Sequence, residues 1–337
     1  MNAIMIGNPK TDGSASHKPA CSIVIRAYNE EKHIGRLLSG IVAQSLKDIE
    51  VVLVDSGSTD GTIASATSMS NQLRLKIVRI RPEDFSFGYS LNQGIEQTQG
   101  EFVAIASAHV YPVYPDWITR LLEPFSDSRV GLVYGKQCGD SKTHFSERQV
   151  FASWYPDESR PRQNHPFCNN ANAAIRRSLW EEHPYDETLS GLEDLAWGSW
   201  LLGQGHLLSY VAEAEVIHMH EERPREVYNR YRREAMAFKH IFPQEKFNLG
   251  DFLRLYTTNV SSDLAQASRE KQLRSNLLGI LRFRLMQFWG TYQGYRQSGP
   301  LNWSLRQTFY YPRGIQPTKK TGIREMEPIR YNDGAEP

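Results

Sequence analysis

Between residues 21 and 106 the chain alternates short, continuously apolar runs with amphipathic ones, and this restricts the fold more than any other feature. Cys21–Arg26 (CSIVIR), Glu50–Val54 (EVVLV) and Phe102–Ala106 (FVAIA) read as strands without a polar face, and Lys76–Ile80 as a fourth strand. Glu30–Gln44, with Ile34, Leu37, Leu38 and Ile41 at helical spacing, about Thr62–Ser70, and Gly88–Gln97 read as helices. A strand buried on both faces needs helices above and below it, so the pattern predicts an α/β domain with a central, mostly parallel sheet. Ligands of such sheets sit at the carboxyl ends of the strands, which points to the loops after residues 26, 54 and 106.

After about residue 220 the periodicity becomes wholly helical, over Pro224–His240, Leu249–Ala267 and Asn276–Tyr295. The charge divides at the same place. Residues 1–223 hold 20 Lys/Arg against 28 Asp/Glu, and residues 224–311 hold 14 against 6, within a chain of net charge +1. The expected organisation is a loose tail over 1–19, an α/β domain over 20–223, a basic helical region over 224–311 and a loose tail over 312–337. The basic region either faces an anionic partner or is held by the acidic part of its own chain.

Several classes are excluded. No apolar run approaches the roughly 18–20 residues of a membrane-spanning helix, and the first twenty residues carry no apolar stretch of leader length. Cys21, Cys138 and Cys168 make neither a disulfide framework nor a zinc spacing, so a cytoplasmic protein is expected. There is no GxGxxG after the first strand and no GxxxxGK[ST], so neither a dinucleotide fold nor a P-loop is supported. No nucleic-acid partner is expected.

Polar motifs follow the strands. The first runs into Arg26-Ala27-Tyr28-Asn29-Glu30-Glu31, the second into Asp55-Ser56-Gly57-Ser58-Thr59-Asp60-Gly61-Thr62. A carboxylate there can accept from a pyrimidine N–H or a ribose hydroxyl, or can simply close an Asx turn. Ser190-x-x-Glu193 reads as a capping box opening a helix, with Asp194 left in the first turn, where the helix N-terminus favours an ionised carboxylate. His165–Asn172 (HPFCNNAN) offers amides for sugar hydroxyls or for an ordinary turn, and Phe167 or Trp154 could stack on a ring face.

Taken in order, SIVIRAYNEEKHIGRLL, EVVLVDSGSTDGT, LNQGIEQTQGEFVAIASAHVYP, CNNANAAIRRSLW and LSGLEDLAWGSWLLGQGH resemble the family 2 glycosyltransferases of GT-A fold, over residues 21 to about 220. RPEDFSFGYSLN looks most like the bacterial rhamnosyltransferase branch. The resemblance implies a nucleotide-sugar donor held by Ala27, Tyr28, Glu30, Asp55, Asn92 and Ser107. It implies Asp194 as the base that deprotonates an acceptor hydroxyl, with inversion. Trp154, Phe167, Asn169, Asn170, Glu193 and Trp197 would then surround the sugar or a glycan or lipid-linked glycan acceptor.

One departure concerns metal. The family's Asp-x-Asp falls on Ser107-Ala108-His109, and both carboxylates are gone. His109, with His218 and His220 after a later strand, would suit Mn²⁺ better than Mg²⁺, which favours oxygen. Such a site should be weak without the donor's phosphates and should weaken below about pH 6.5 as imidazoles protonate. Alternatively the metal is lost and cationic groups meet the phosphate charge. A sugar-nucleotide pyrophosphorylase, which needs a basic Gly-rich loop where RAYNEE is acidic, and a non-catalytic nucleotide- or glycan-binding module are the other classes. The stripe Leu277, Leu278, Leu281, Leu285, Phe288, Trp289 and Tyr292, with Arg282 and Arg284 between, either docks on an anionic membrane surface or packs on its own domain or a second subunit.

Overall fold

The computed structural model describes residues 18–296 together with Glu327, Ile329 and Tyr331. Most of both expected tails, and residues 297–311 of the basic region, lie outside the described residues.

The first half follows the apolar alternation. β1 (Cys21–Ala27), α1 (Ile34–Val42), β2 (Ile49–Asp55), α2 (Thr62–Ser68), β3 (Arg74–Arg79), α3 (Phe87–Glu96) and β4 (Phe102–Ser107) succeed one another, and the four strands pair in parallel in the order β3-β2-β1-β4. Every residue of β2 is buried, as a strand covered on both faces must be. Gly94 lets α3 press onto this sheet, since a Cβ there would meet Val24 and Val54 at 2.5 and 2.8 Å.

Beyond β4 the chain adds β5 (Val110–Pro112), α4 (Trp117–Leu122), β6 (Val130–Cys138), α5 (Phe145–Trp154), β7 (Arg160–Gln163), β8 (Asn172–Arg176), α6 (Arg177–Glu182), α7 (Glu193–Gly203) and β9 (Leu207–His218). The sheet continues β4-β8-β6-β9-β5, with β8 antiparallel to both neighbours, β6 and β9 parallel, and β7 paired to β9. One face carries a core around Ile23, Leu37 and Trp117, the other a core around Leu91, Tyr134 and Trp197.

The basic region forms α8 (Pro224–Ile241), α9 (Leu249–Arg269) and α10 (Leu273–Arg296). Phe238, Phe252, Phe288 and Tyr295 give these helices a core of their own, which also takes in Leu195 of α7. The expected α10 stripe therefore divides. Its aromatic end packs inward, whereas Leu277, Leu278 and Leu285 remain exposed. Arg284, one of the two arginines within the stripe, is buried in an ion pair with Asp263 at 2.7 Å. The expected loose C-terminal tail is also corrected at two described residues: Ile329 N–H bonds the Val113 carbonyl, and the Tyr331 hydroxyl bonds that of Pro112.

Candidate active site

A cleft of about 810 Å³ opens at the carboxyl ends of β1 and β4. This is the point where the chain, having built the sheet outward through β2 and β3, returns to the other side of β1, and α/β sheets bind ligands at such a switch. Tyr28, Asn29 and Glu30 enter it from β1, Ser107 and His109 from β4, and Asn169 and Asn170 from the loop before β8. Of the three non-glycine residues in the left-handed region among the described residues, Asn29 (φ 55°) and Leu192 (φ 59°) line it, and Lys271 does not. Backbone strain of this kind, of order 1–3 kcal/mol each, collects at functional sites.

Asp194 stands on the first turn of α7, its Oδ2 accepting the Asn170 N–H at 3.0 Å and its Oδ1 the Leu195 N–H at 2.8 Å. The capping box is not formed. Leu192 is the cap, the Ser190 hydroxyl donates to the Arg233 carbonyl, and Glu193 is ion-paired to Arg26 at 3.1 Å and accepts from the Asn170 amide. The expectation of a carboxylate held ionised by its helix is likewise corrected. Burial, and then the charge of Glu193, pushes Asp194 up from 3.8 to about 7, against the two N–H bonds and Arg26. A carboxyl with a value near neutrality is suited to accept a proton at the working pH.

The three histidines meet as expected. β5 pairs antiparallel with β9, Val110 against His218, which seats His109 beside the end of β9; the Met219 N–H bonds the His109 carbonyl. The ring centroids of His109 and His218 are 5.1 Å apart and those of His218 and His220 4.1 Å. A ring nitrogen from each lies within 4.8 Å of those of the other two. Burial holds His218 and His220 well below the ordinary value of 6.5, His218 further lowered by its neighbouring histidines and His220 by Arg230 and His109. Burial thus favours the neutral ring, the ligating form, at both positions. His218 Nε2 is buried with no hydrogen-bond partner among the described residues. This orphaned nitrogen and the imidazole donor set fit a borderline transition ion and fit Mg²⁺ poorly.

Other expected ligands are engaged elsewhere. Glu30 accepts from His109 Nδ1 at 2.7 Å, assuming the nitrogen carries the proton, so its carboxylate serves the histidine cluster. Asp55 accepts the N–H groups of Gly57 and Ser58, the turn reading of that carboxylate. The Ala27 carbonyl takes the N–H of Ser56. Asn92 accepts from Trp180 Nε1 and the Tyr185 N–H and donates to the Tyr185 carbonyl and Glu187. Phe167 is corrected as a stacking face and Trp197 as a residue around the sugar. They are 5 % and 1 % exposed, Phe167 packed between Tyr134 and Trp154 and Trp197 bonded to the His183 carbonyl, so neither ring meets the cleft.

Residues 22–183 match the family described as Glycosyl transferase family 2. Over that stretch the chain is similar to the family 2 glycosyltransferases. The O-antigen chain rhamnosyltransferase RfbN of Salmonella typhimurium is 26% identical over 222 residues, 62% of this chain and 69% of its own. Glycosyltransferase AglE of Haloferax volcanii is 26% identical over 212 residues, 61% and 68% of the two chains. Among solved structures, the mannosyltransferase PcManGT of Pyrobaculum calidifontis, in complex with GDP-Man and Mn²⁺, aligns over 88% of each chain with a TM-score of 0.56. At 20% identity this last likeness shows the fold alone.

Asp194, His218 and His220 all lie beyond residue 183, where the family 2 match ends. So do Arg230, Arg233 and Glu234, which α8 places in the wall of the same cleft. Sequence reasoning missed these three because it treated the basic helices as a separate unit. The excess of arginine in Pro224–His240 was the available signal.

Proposed function

We propose that this glycosyltransferase moves a hexosyl or deoxyhexosyl group from a nucleotide-activated sugar to an acceptor hydroxyl by a single inverting displacement, in assembly of a bacterial surface polysaccharide. The observation that carries the reading is Asp194, a buried carboxyl near neutral pKa, sharing one cleft with a cluster of three histidines at the switch point of the sheet. Asp194 takes the acceptor proton as that oxygen bonds to the anomeric carbon and the bond to the nucleoside diphosphate breaks. Asn170 holds one oxygen of Asp194 and the Arg26–Glu193 pair fixes the turn before it.

His109, His218 and His220 would hold a divalent ion. When bound, such an ion supplies Lewis-acid stabilisation of charge on the departing diphosphate. Arg233 adds positive charge to that wall of the cleft, and Tyr28, 56 % exposed, offers a ring for a base. The name of RfbN, an O-antigen chain rhamnosyltransferase, supports the polysaccharide assignment, and the Mn²⁺ of the PcManGT complex supports a metal. We further place the exposed leucines of α10 against an anionic cytoplasmic leaflet carrying a lipid-linked acceptor; no helix of the described residues is long and apolar enough to cross a membrane.

The test is release of nucleoside diphosphate from UDP-, dTDP-, GDP- and CMP-sugars (CMP for the last), with and without Mn²⁺, against a panel of glycan acceptors. Acceptor-dependent release that Asp194→Asn suppresses is the expected result. Binding of nucleotide without turnover under any donor, acceptor and ion would replace this reading with that of a non-catalytic module.

A further inference from the structure

All three imidazoles of the cleft are gripped at the same ring position. His109 Nδ1 meets Glu30 Oε1 at 2.7 Å, His218 Nδ1 meets Gln137 Oε1 at 2.6 Å, and His220 Nδ1 meets Glu147 Oε1 at 2.8 Å. A carboxylate or amide oxygen can only accept, so each Nδ1 carries the hydrogen and the lone pair of each ring is left on Nε2. The grips come from three separate places, the loop after β1, the strand β6 and the helix α5, so their agreement does not follow from one local turn.

The grips are themselves held. Arg230 pairs with Glu147 at 2.6 Å and with Glu222 at 2.6 Å, so the cation position beside those carboxylates is already filled by a guanidinium. On the other side of the rings the structure leaves a deficit. His218 Nε2 is fully enclosed and unbonded among the described residues, a state that ordinarily costs about 1–3 kcal/mol. Ser107 Oγ stands 3.1 Å from His109 Nε2, the geometry of a hydroxyl donating to the lone pair of that ring.

Resting on the reading that these histidines hold an ion, we infer that Glu30, Gln137 and Glu147 are positioning residues that preset an imidazole-only cation centre. The centre takes a borderline divalent ion such as Co²⁺ or Zn²⁺ before any nucleotide arrives. Carboxylate partners on ligating histidines fix ring orientation and raise basicity, and removing one commonly costs roughly 10–100-fold in metal affinity. The nitrogen set favours Co²⁺ and Zn²⁺ over Mg²⁺. This differs from the expectation drawn from sequence, in which donor phosphates were needed to complete the site.

The experiment is titration of Co²⁺ into the full chain stripped of metal, without nucleotide, followed by the visible d–d absorption of the bound ion. One Co²⁺ per chain is expected, with bands typical of nitrogen ligation, displaced by Zn²⁺ and untouched by excess Mg²⁺. Gln137→Met should weaken binding roughly 10–100-fold and Gln137→Glu, which keeps an acceptor oxygen on His218, should restore it. Glu30→Ala, at the cleft rim, gives the same reading at His109 if the buried Gln137 variant does not fold. Co²⁺ bands that appear only after a nucleoside diphosphate is added would overturn the preset centre while leaving a metal in the reaction. No binding with or without the diphosphate would overturn the metal reading itself. Unchanged affinity in Gln137→Met and Glu30→Ala would show that these residues do not position the rings.

Discussion

An aspartate on the first turn of a helix is ordinarily held ionised, whereas Asp194 is buried beside a second carboxylate and is pushed up to about 7. Three outcomes follow at this residue. kcat/KM should rise with pH and level off above about 7, as the free enzyme's base loses its proton. Asp194→Asn should lower kcat by roughly 10²–10⁴ with donor affinity nearly kept, read by nucleotide titration beside steady-state rates. Arg26 lowers the Asp194 value, so Arg26→Met should carry the acidic limb of the profile to higher pH, whereas a purely structural role would leave the limb in place. Linkage supplies an independent readout. A carboxyl raised in the folded state binds more protons there than in the unfolded chain, so its contribution to stability is full below about 3.8 and lost as pH rises through about 7. Denaturant melts of the native chain should therefore fall relative to Asp194→Asn by a few kcal/mol between pH 4 and pH 8. Parallel stability curves for the two proteins would place the Asp194 value in the ordinary carboxylate range.

α10 makes two predictions because it has two kinds of surface. Phe288→Ala empties a site 1 % exposed between α8, α9 and α10 and should cost about 3–5 kcal/mol in a denaturant melt. Changing Leu277, Leu278 and Leu285 together to serine should move stability by roughly 0.5 kcal/mol or less for each. The same triple change should reduce sedimentation with anionic vesicles at low salt; unchanged sedimentation would remove the membrane assignment, and a change of oligomeric state instead would assign the face to a second copy. The elements themselves were largely legible, because doubly buried strands leave no polar position and so announce themselves. β9 extends further than the recognised run VAEAEVI, since its early residues Leu207–Tyr210 pair with β6 and β7 across the chain, a partnership no local pattern contains. At the site, Asp194 and the histidines were legible because motif order placed them. Phe167 was misread because an aromatic in a turn of amides can face a ligand or the core, and only the surrounding Tyr134, Trp154 and Tyr155 decide it. Arg230 and Arg233 were invisible for a related reason: periodicity says that α8 is amphipathic, not what its polar side looks at.

At the scale of the whole molecule, the acidic first part and the basic second part do more than attract one another. Arg230 reaches from α8 to Glu147 of α5, while Arg284 of α10 bonds the Ser146 carbonyl of the same helix as well as Asp263. The far end of the chain returns too, with Arg36 lying over the rings of Tyr111 and Tyr331 at 4.2 and 4.8 Å. The feature that binds the parts most closely is α7. Trp197 and Leu201 belong to the core beneath the sheet, and Leu195, between them and Asp194, belongs to the core of the C-terminal helices. A helix owned by two cores turns the base into a reporter of cooperativity. If the C-terminal helices loosen before the sheet does, Leu195 loses its packing one residue from the base. Heating should then extinguish transfer at the first calorimetric transition, while amides in β1 and β2 still resist hydrogen exchange.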